Sequence, residues 1–143
     1  VSAKVNIFNE TEVKFLPVKK LKQIVENCLS SEKADFSTIN LIFLDDAAMQ
    51  KMNKEYLNHD FTTDVISFNL DAEDENQKIG EIYISLDTAK EQANEYKVSL
   101  SNELLRLAAH GTLHICGYED STKDEKDLMH SKEDELISRM KNS

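Results

Sequence analysis

Proline occurs once in this chain, at Pro17, and glycine three times, at Gly80, Gly111 and Gly117. There is no internal repeat, low-complexity tract or linker, which excludes repeat and multi-domain architectures and leaves one domain over residues 1–143. The two cysteines, Cys28 and Cys116, are too few for a disulfide framework. They fit a reducing compartment, so a cytoplasmic location is expected. No apolar run approaches the ~18 residues of a membrane span. The longest local cluster is Leu41-Ile42-Phe43-Leu44. The N-terminal residues lack a basic region followed by an apolar core, so no secretion signal is expected. Positive charge is also short: 17 basic residues against 27 acidic ones give a net charge of −10, and only Arg106 and Arg139 are arginines. That balance disfavours broad binding to nucleic acid or anionic membranes.

What remains is ordinary for a globular protein: 143 residues, 40% hydrophobic and 31% charged. A chain of this size buries roughly two-thirds of its unfolded surface without staples. Alternation at Ala3, Val5 and Ile7 predicts a first strand. Pro17 suits the first position of a helix in which Val18, Leu21, Ile24, Val25, Cys28 and Leu29 recur at helical spacing. Residues 36–44 read as a second strand, and Asp45 as the N-cap of a helix carrying Met49, Met52 and Tyr56. Two strands follow, Val65 to Leu70 and Gly80 to Ser85, joined across a solvated acidic loop, residues 71–78. Ala89, Ala93 and Tyr96 mark a short helix. Residues 101–116 are apolar on several faces and predict a central, buried helix. Thr122 with Glu125 forms a capping-box pattern that opens a last helix reaching about Arg139. The order β-α-β-α-β-β-α-α-α predicts right-handed crossovers with parallel pairing in the two early β-α-β units, then an antiparallel hairpin. The expected fold is α+β: a mixed four-stranded sheet packed with about five helices.

Two of the scarce glycines fall within eight residues, in His110-Gly111-Thr112-Leu113-His114-Ile115-Cys116-Gly117-Tyr118-Glu119-Asp120. Histidines four apart on a helix share one face and can reach one metal ion. Here they sit in an apolar helix, where an unpaired imidazole is costly. Gly117 can end the helix in a left-handed conformation and turn a carboxylate back toward them. Two histidines and one carboxylate with an open position make a zinc site of the catalytic kind. Asp120 and Glu119 compete for third ligand. Asp120 is preferred because it lies six residues beyond His114, as in the metzincin pattern. Cys116 lies roughly 120° or more around the helix from both histidines and reads as a core cysteine. Glu103 and Arg106 precede His110 by seven and four residues on the same face; they can support the site or simply pair with each other. His59, in the loop before the third strand, can face the site. His130 reads as a solvated helix residue.

Several ordered motifs resemble the YbeY family of bacterial metal-dependent endoribonucleases. They are Met52-Asn53-Lys54-Glu55-Tyr56, Thr63-Asp64-Val65-Ile66-Ser67-Phe68, Gly80-Glu81-Ile82-Tyr83-Ile84-Ser85, His110 to Tyr118, and Met129 with Glu133. The family usually carries a third histidine where this chain has Asp120, and an arginine where it has Leu57. Lys54, His59 or Arg106 are the candidates to replace that arginine. The resemblance implies an endoribonuclease acting in ribosomal RNA maturation, at the small-subunit 3′ end, and in ribosome quality control. Its partners would be ribosomal RNA and ribosome-associated proteins, with no membrane. The implied catalytic set is His110, His114 and Asp120 acting through the metal, with Arg106 and His59 as further candidates. Zinc is expected, with nickel able to occupy the same donors.

Two other functions compete. The spacing His-x-x-x-His-x-x-Gly-x-x-Asp mimics a zinc metallopeptidase. Those enzymes place a glutamate after the first histidine as general base, and here Gly111 has no side chain to take a proton. A ribosome-associated binding factor with weak or no catalysis is the other. For either RNA role, Lys14, Lys19, Lys20 and Lys22 are the candidate basic surface.

Overall fold

The computed structural model describes residues 3–57, 63–71 and 77–141. The centre of the acidic loop, residues 72–76, and His59 therefore lie outside the described residues. The element order is β1 (Lys4–Asn9), α1 (Val18–Ser31), β2 (Thr38–Leu44), α2 (Asp46–Leu57), β3 (Val65–Asp71), β4 (Lys78–Ser85), α3 (Leu86–Tyr96), α4 (Leu100–Ile115) and α5 (Lys123–Lys141). Among the described residues this is the expected α+β set of four strands and five helices. Pro17 stands one position outside α1 rather than at its first residue, with ψ of 67°, and its carbonyl accepts from Leu21 N–H at 2.9 Å.

The sheet order is β1-β2-β4-β3. β1 pairs parallel with β2 and β2 parallel with β4, while β3 pairs antiparallel with β4. This corrects one expected pairing. After α2 the chain goes to the sheet edge as β3, and β4 inserts beside β2. The side chains explain the choice. β4 offers Gly80, Ile82 and Ile84 to the buried face, as an inner strand must. β3 presents Ser67 and Asn69 there, which an edge tolerates better.

Alternation sorts each strand onto two faces. Val5, Ile39, Leu41, Phe43, Ile82 and Ile84 point to the main core, covered by α1, α3, α4 and α5. Leu44 and Ile66 point the other way and form a smaller core with Met49 of α2. Each fully buried Leu, Ile or Phe here contributes roughly 1.5–3 kcal/mol of transfer free energy. No described helix is long and apolar enough to cross a membrane.

α4 lies at the centre, against the sheet on one side and against α1, α3 and α5 on others. It crosses β3 and β4 at Gly111. A Cβ there would stand 2.6 Å from Ile82 Cγ2 and 3.1 Å from Ser67 Oγ. The missing side chain is what lets the helix come this close. Ser67 Oγ donates to Gly111 O at 3.0 Å and Asn69 Nδ2 to Ile115 O at 3.3 Å, so the polar inner face of β3 caps main-chain carbonyls of α4.

Candidate metal centre

The site grows out of the way α4 stops. Ser99 caps its start, accepting from Asn102 N–H at 3.0 Å. At the other end Gly117 takes φ of +108°. Gly117 N–H returns to His114 O and Tyr118 N–H to Leu113 O, each at 3.0 Å, the paired bonds of a Schellman turn. The turn carries the chain back over the last helical turn and delivers Asp120 to the two histidines. α5 then starts with the predicted capping box: Glu125 N–H bonds Thr122 Oγ1 at 3.1 Å, and Thr122 N–H bonds Glu125 Oε1 at 2.9 Å.

His110 Nε2 and His114 Nε2 are 3.1 Å apart, and Asp120 Oδ2 is 3.4 Å from each. Edges near 3.3 Å are what a tetrahedral ion with ligands at about 2.0–2.1 Å requires. The protonation pattern agrees. His114 Nδ1 faces Tyr118 O at 2.9 Å, and a carbonyl only accepts, so Nδ1 carries the hydrogen. His110 Nδ1 faces Glu133 Oε2 at 2.7 Å, which fixes the same tautomer. Both Nε2 lone pairs and a carboxylate oxygen thus converge. Neutral imidazoles bring no donor to that point, and a cation suits it. Three ligands leave a fourth tetrahedral position open.

Glu133 is 1% exposed. It receives His110 on one oxygen and Arg106 Nη1 at 3.0 Å on the other. Arg106 also reaches Asp134 at 2.5 Å. Burial alone would lower the His110 pKa; the hydrogen bond and charge of Glu133 outweigh it and leave the ring above its ordinary value. Glu103 is 2% exposed, and burial pushes its carboxyl up to about 7.

The other candidates are placed as follows. Among the described residues, Glu103 and Arg106 form no ion pair with each other; Arg106 turns to α5 instead. Glu119 is exposed and lines a groove beside His114. Cys116 is half-buried, packed on the core next to Cys28. Lys54 is exposed on α2. His130 is exposed, with Nδ1 3.5 Å from Glu133 Oε1. Lys14, Lys19, Lys20 and Lys22 are exposed and unpaired among the described residues. Lys14 precedes α1 and Lys19, Lys20 and Lys22 lie in its first turns, while Glu32 at its far end meets the turn after α4. The 14 residues of α1 span about 20 Å.

Sequence reasoning missed the part played by Glu133 and by the Tyr118 carbonyl. A signal for the first was present. Met129, Leu136, Ile137 and Met140 form the buried stripe of α5, and Glu133 is the one acid on it. An acid on an apolar stripe needs a partner, and the partner is a histidine on another helix.

An α+β fold that aims two helical histidines and an aspartate at one point, with a coordination position open beside a groove, defines a hydrolase-like candidate metal centre. The sequence profile described as Endoribonuclease YbeY matches residues 6–141. The chain belongs to the YbeY family. It is 40% identical to the Endoribonuclease YbeY of Flavobacterium johnsoniae over 133 residues, covering 93% of this chain and 94% of that one. It is 45% identical to that of Flavobacterium psychrophilum over 113 residues, 79% of each chain. The solution structure of TM1509 from Thermotoga maritima superimposes with a TM-score of 0.65 at 26% identity, covering 95% of this chain and 88% of that one.

Proposed function

We propose that this protein is a metal-dependent endoribonuclease acting in ribosomal RNA maturation, with His110, His114 and Asp120 as its metal ligands. One observation carries the reading: the convergence of His110 Nε2, His114 Nε2 and Asp120 Oδ2 beside an open groove. A bound divalent ion supplies positive charge to a phosphoryl oxygen and lowers the pKa of water at the scissile phosphate. The chain's own residues do the rest. Glu133 and the Tyr118 carbonyl hold both imidazoles with Nε2 bare. The groove, of about 490 Å³, includes Asn53, Thr63, Ser67, Asn69 and Glu119 in its lining. Ser67 gives its hydroxyl hydrogen, and Asn69 one of its two amide hydrogens, to α4 carbonyls. With Asn53, Thr63 and Glu119 they give the groove a polar lining that suits the 2′-hydroxyls and base edges of a single strand. Zinc fits the mixed nitrogen and oxygen donors, and nickel binds the same set. Ribosome-associated proteins and the cytoplasm are the partners and location this function implies.

Position 111 argues against a peptidase. It faces Ile82 and Ser67 of the sheet, so a glutamate there would meet the core rather than a substrate. The test is cleavage of a ribosomal RNA 3′-end fragment by purified protein, with and without chelator, against His114→Ala purified identically. Cleavage that needs both metal and His114 is the expected result. Equal cleavage by both proteins, or none with metal verified as bound, overturns the nuclease reading and leaves a binding factor.

A further inference from the structure

We propose that Glu32, at the end of α1, is a positioning residue for the metal centre, acting through Tyr118. The inference rests on His110, His114 and Asp120 being the ligands. It adds to them a strap reaching from a helix that contributes no ligand.

The need for a strap follows from the turn. Residues 116–122 link α4 to α5, and Gly117 near their start is the residue type with the freest backbone. Yet this segment must hold two groups in place: the Tyr118 carbonyl against His114 Nδ1, and Asp120 against both histidines. Two Schellman bonds fix its first residues to α4. Besides the Thr122–Glu125 cap of α5, one side-chain hydrogen bond between Gly117 and Ser121 ties the described segment to the protein outside the ligand cluster. Tyr118 Oη donates to Glu32 Oε1 at 2.6 Å, across 86 residues of sequence.

Glu32 is built to hold that bond. It caps α1, with its N–H returned to Cys28 O at 3.0 Å, so its backbone is fixed. Its second oxygen accepts from Lys132 Nζ of α5 at 3.1 Å. Lys132 Nζ also lies 5.1 Å above the Tyr118 ring, within cation–π range. The carboxylate, with a side chain 17% exposed, therefore joins α1, the turn and α5. Tyr118 is gripped at both ends. Its hydroxyl is held by Glu32 on one side, and its carbonyl sets the His114 ring on the other. Letting go of the hydroxyl frees the carbonyl, and with it the tautomer and aim of His114 and the approach of Asp120 two residues later.

The test is zinc affinity, read by competition with a chromophoric chelator, together with the visible spectrum of the Co²⁺-loaded protein. The proteins are wild type, Glu32→Gln, Tyr118→Phe, their double variant and Glu135→Gln as a charge-matched control on α5. Partners behind metal-ligating histidines are worth about 10- to 100-fold in affinity. Glu32 acts one bond further out, so each single variant is expected to weaken zinc binding about 10-fold and alter the Co²⁺ bands. The double variant should lose no more than Tyr118→Phe alone, and Glu135→Gln should bind as wild type. Wild-type affinity and spectrum in folded Glu32→Gln and Tyr118→Phe, with a lowered melting temperature only, would make Glu32 a structural residue and overturn the proposal. Should Tyr118→Phe fail to fold, Glu32→Ala, which leaves the Tyr118 hydroxyl without this acceptor, decides in its place. A wild-type protein that binds no zinc would instead defeat the ligand assignment itself.

Discussion

His110 and His114 were legible as a pair because helical spacing alone places them on one face. Glu133 was not, because it comes from another helix 23 residues later, and local periodicity cannot see who faces whom. Glu133 nevertheless holds His110, the proposed ligand, at Nδ1. Replacing it by glutamine removes the charge behind Nδ1 and leaves Arg106 half-paired. Metal affinity of Glu133→Gln should fall about 10- to 100-fold in a chelator competition. Glu103 makes a pH prediction. Its folded pKa of about 7 is above its value in the unfolded chain, chiefly through burial, with Asp64 and Glu133 adding and Arg106 opposing. A raised carboxyl favours the fold below the unfolded pKa, and that contribution is lost as pH rises through about 7. Glu103→Gln should therefore melt higher than wild type at pH 8 and show little gain at pH 4.

At the scale of elements, caps and turns were the most legible features. Asp45 accepts from Ala48 N–H at 2.8 Å, the Thr122–Glu125 box forms, and Gly117 adopts its positive φ. Each is written in a few adjacent residues with a specific hydrogen-bond task. The neighbour order of β3 and β4 was not legible, since alternation tells which face a side chain takes and not which strand lies beside it. Gly111 was read through the side chain it lacks for proton transfer, and its packing role emerged only in three dimensions. A Cβ at that position presses on Ile82 and Ser67 inside the core. Gly111→Ala should lower stability by about 1–3 kcal/mol, as overpacking does, and chemical denaturation would measure it.

For the whole molecule, charge and placement bear on how RNA is held. The described lining of the groove contains no lysine or arginine, and no residue of α1 is part of it. Net charge is −10. RNA binding should thus involve few phosphate contacts. A plot of log affinity against log salt should have a slope shallower than about −2, where each phosphate neutralised on a single strand contributes about −0.7. The RNA role itself came from family resemblance. Spacing and composition reach a candidate metal centre and stop, because a groove lined by polar side chains does not name its polymer. Under the proposed function, one ion on His110, His114 and Asp120 enables RNA cleavage. Its most direct test is to titrate metal-stripped protein with Zn²⁺ while following the initial rate of cleavage of a ribosomal RNA 3′-end fragment. The expected result is a linear rise that breaks at one equivalent per chain and disappears in Asp120→Ala at the same metal concentrations. Full cleavage by the stripped protein, or a rise indifferent to Asp120, would contradict it.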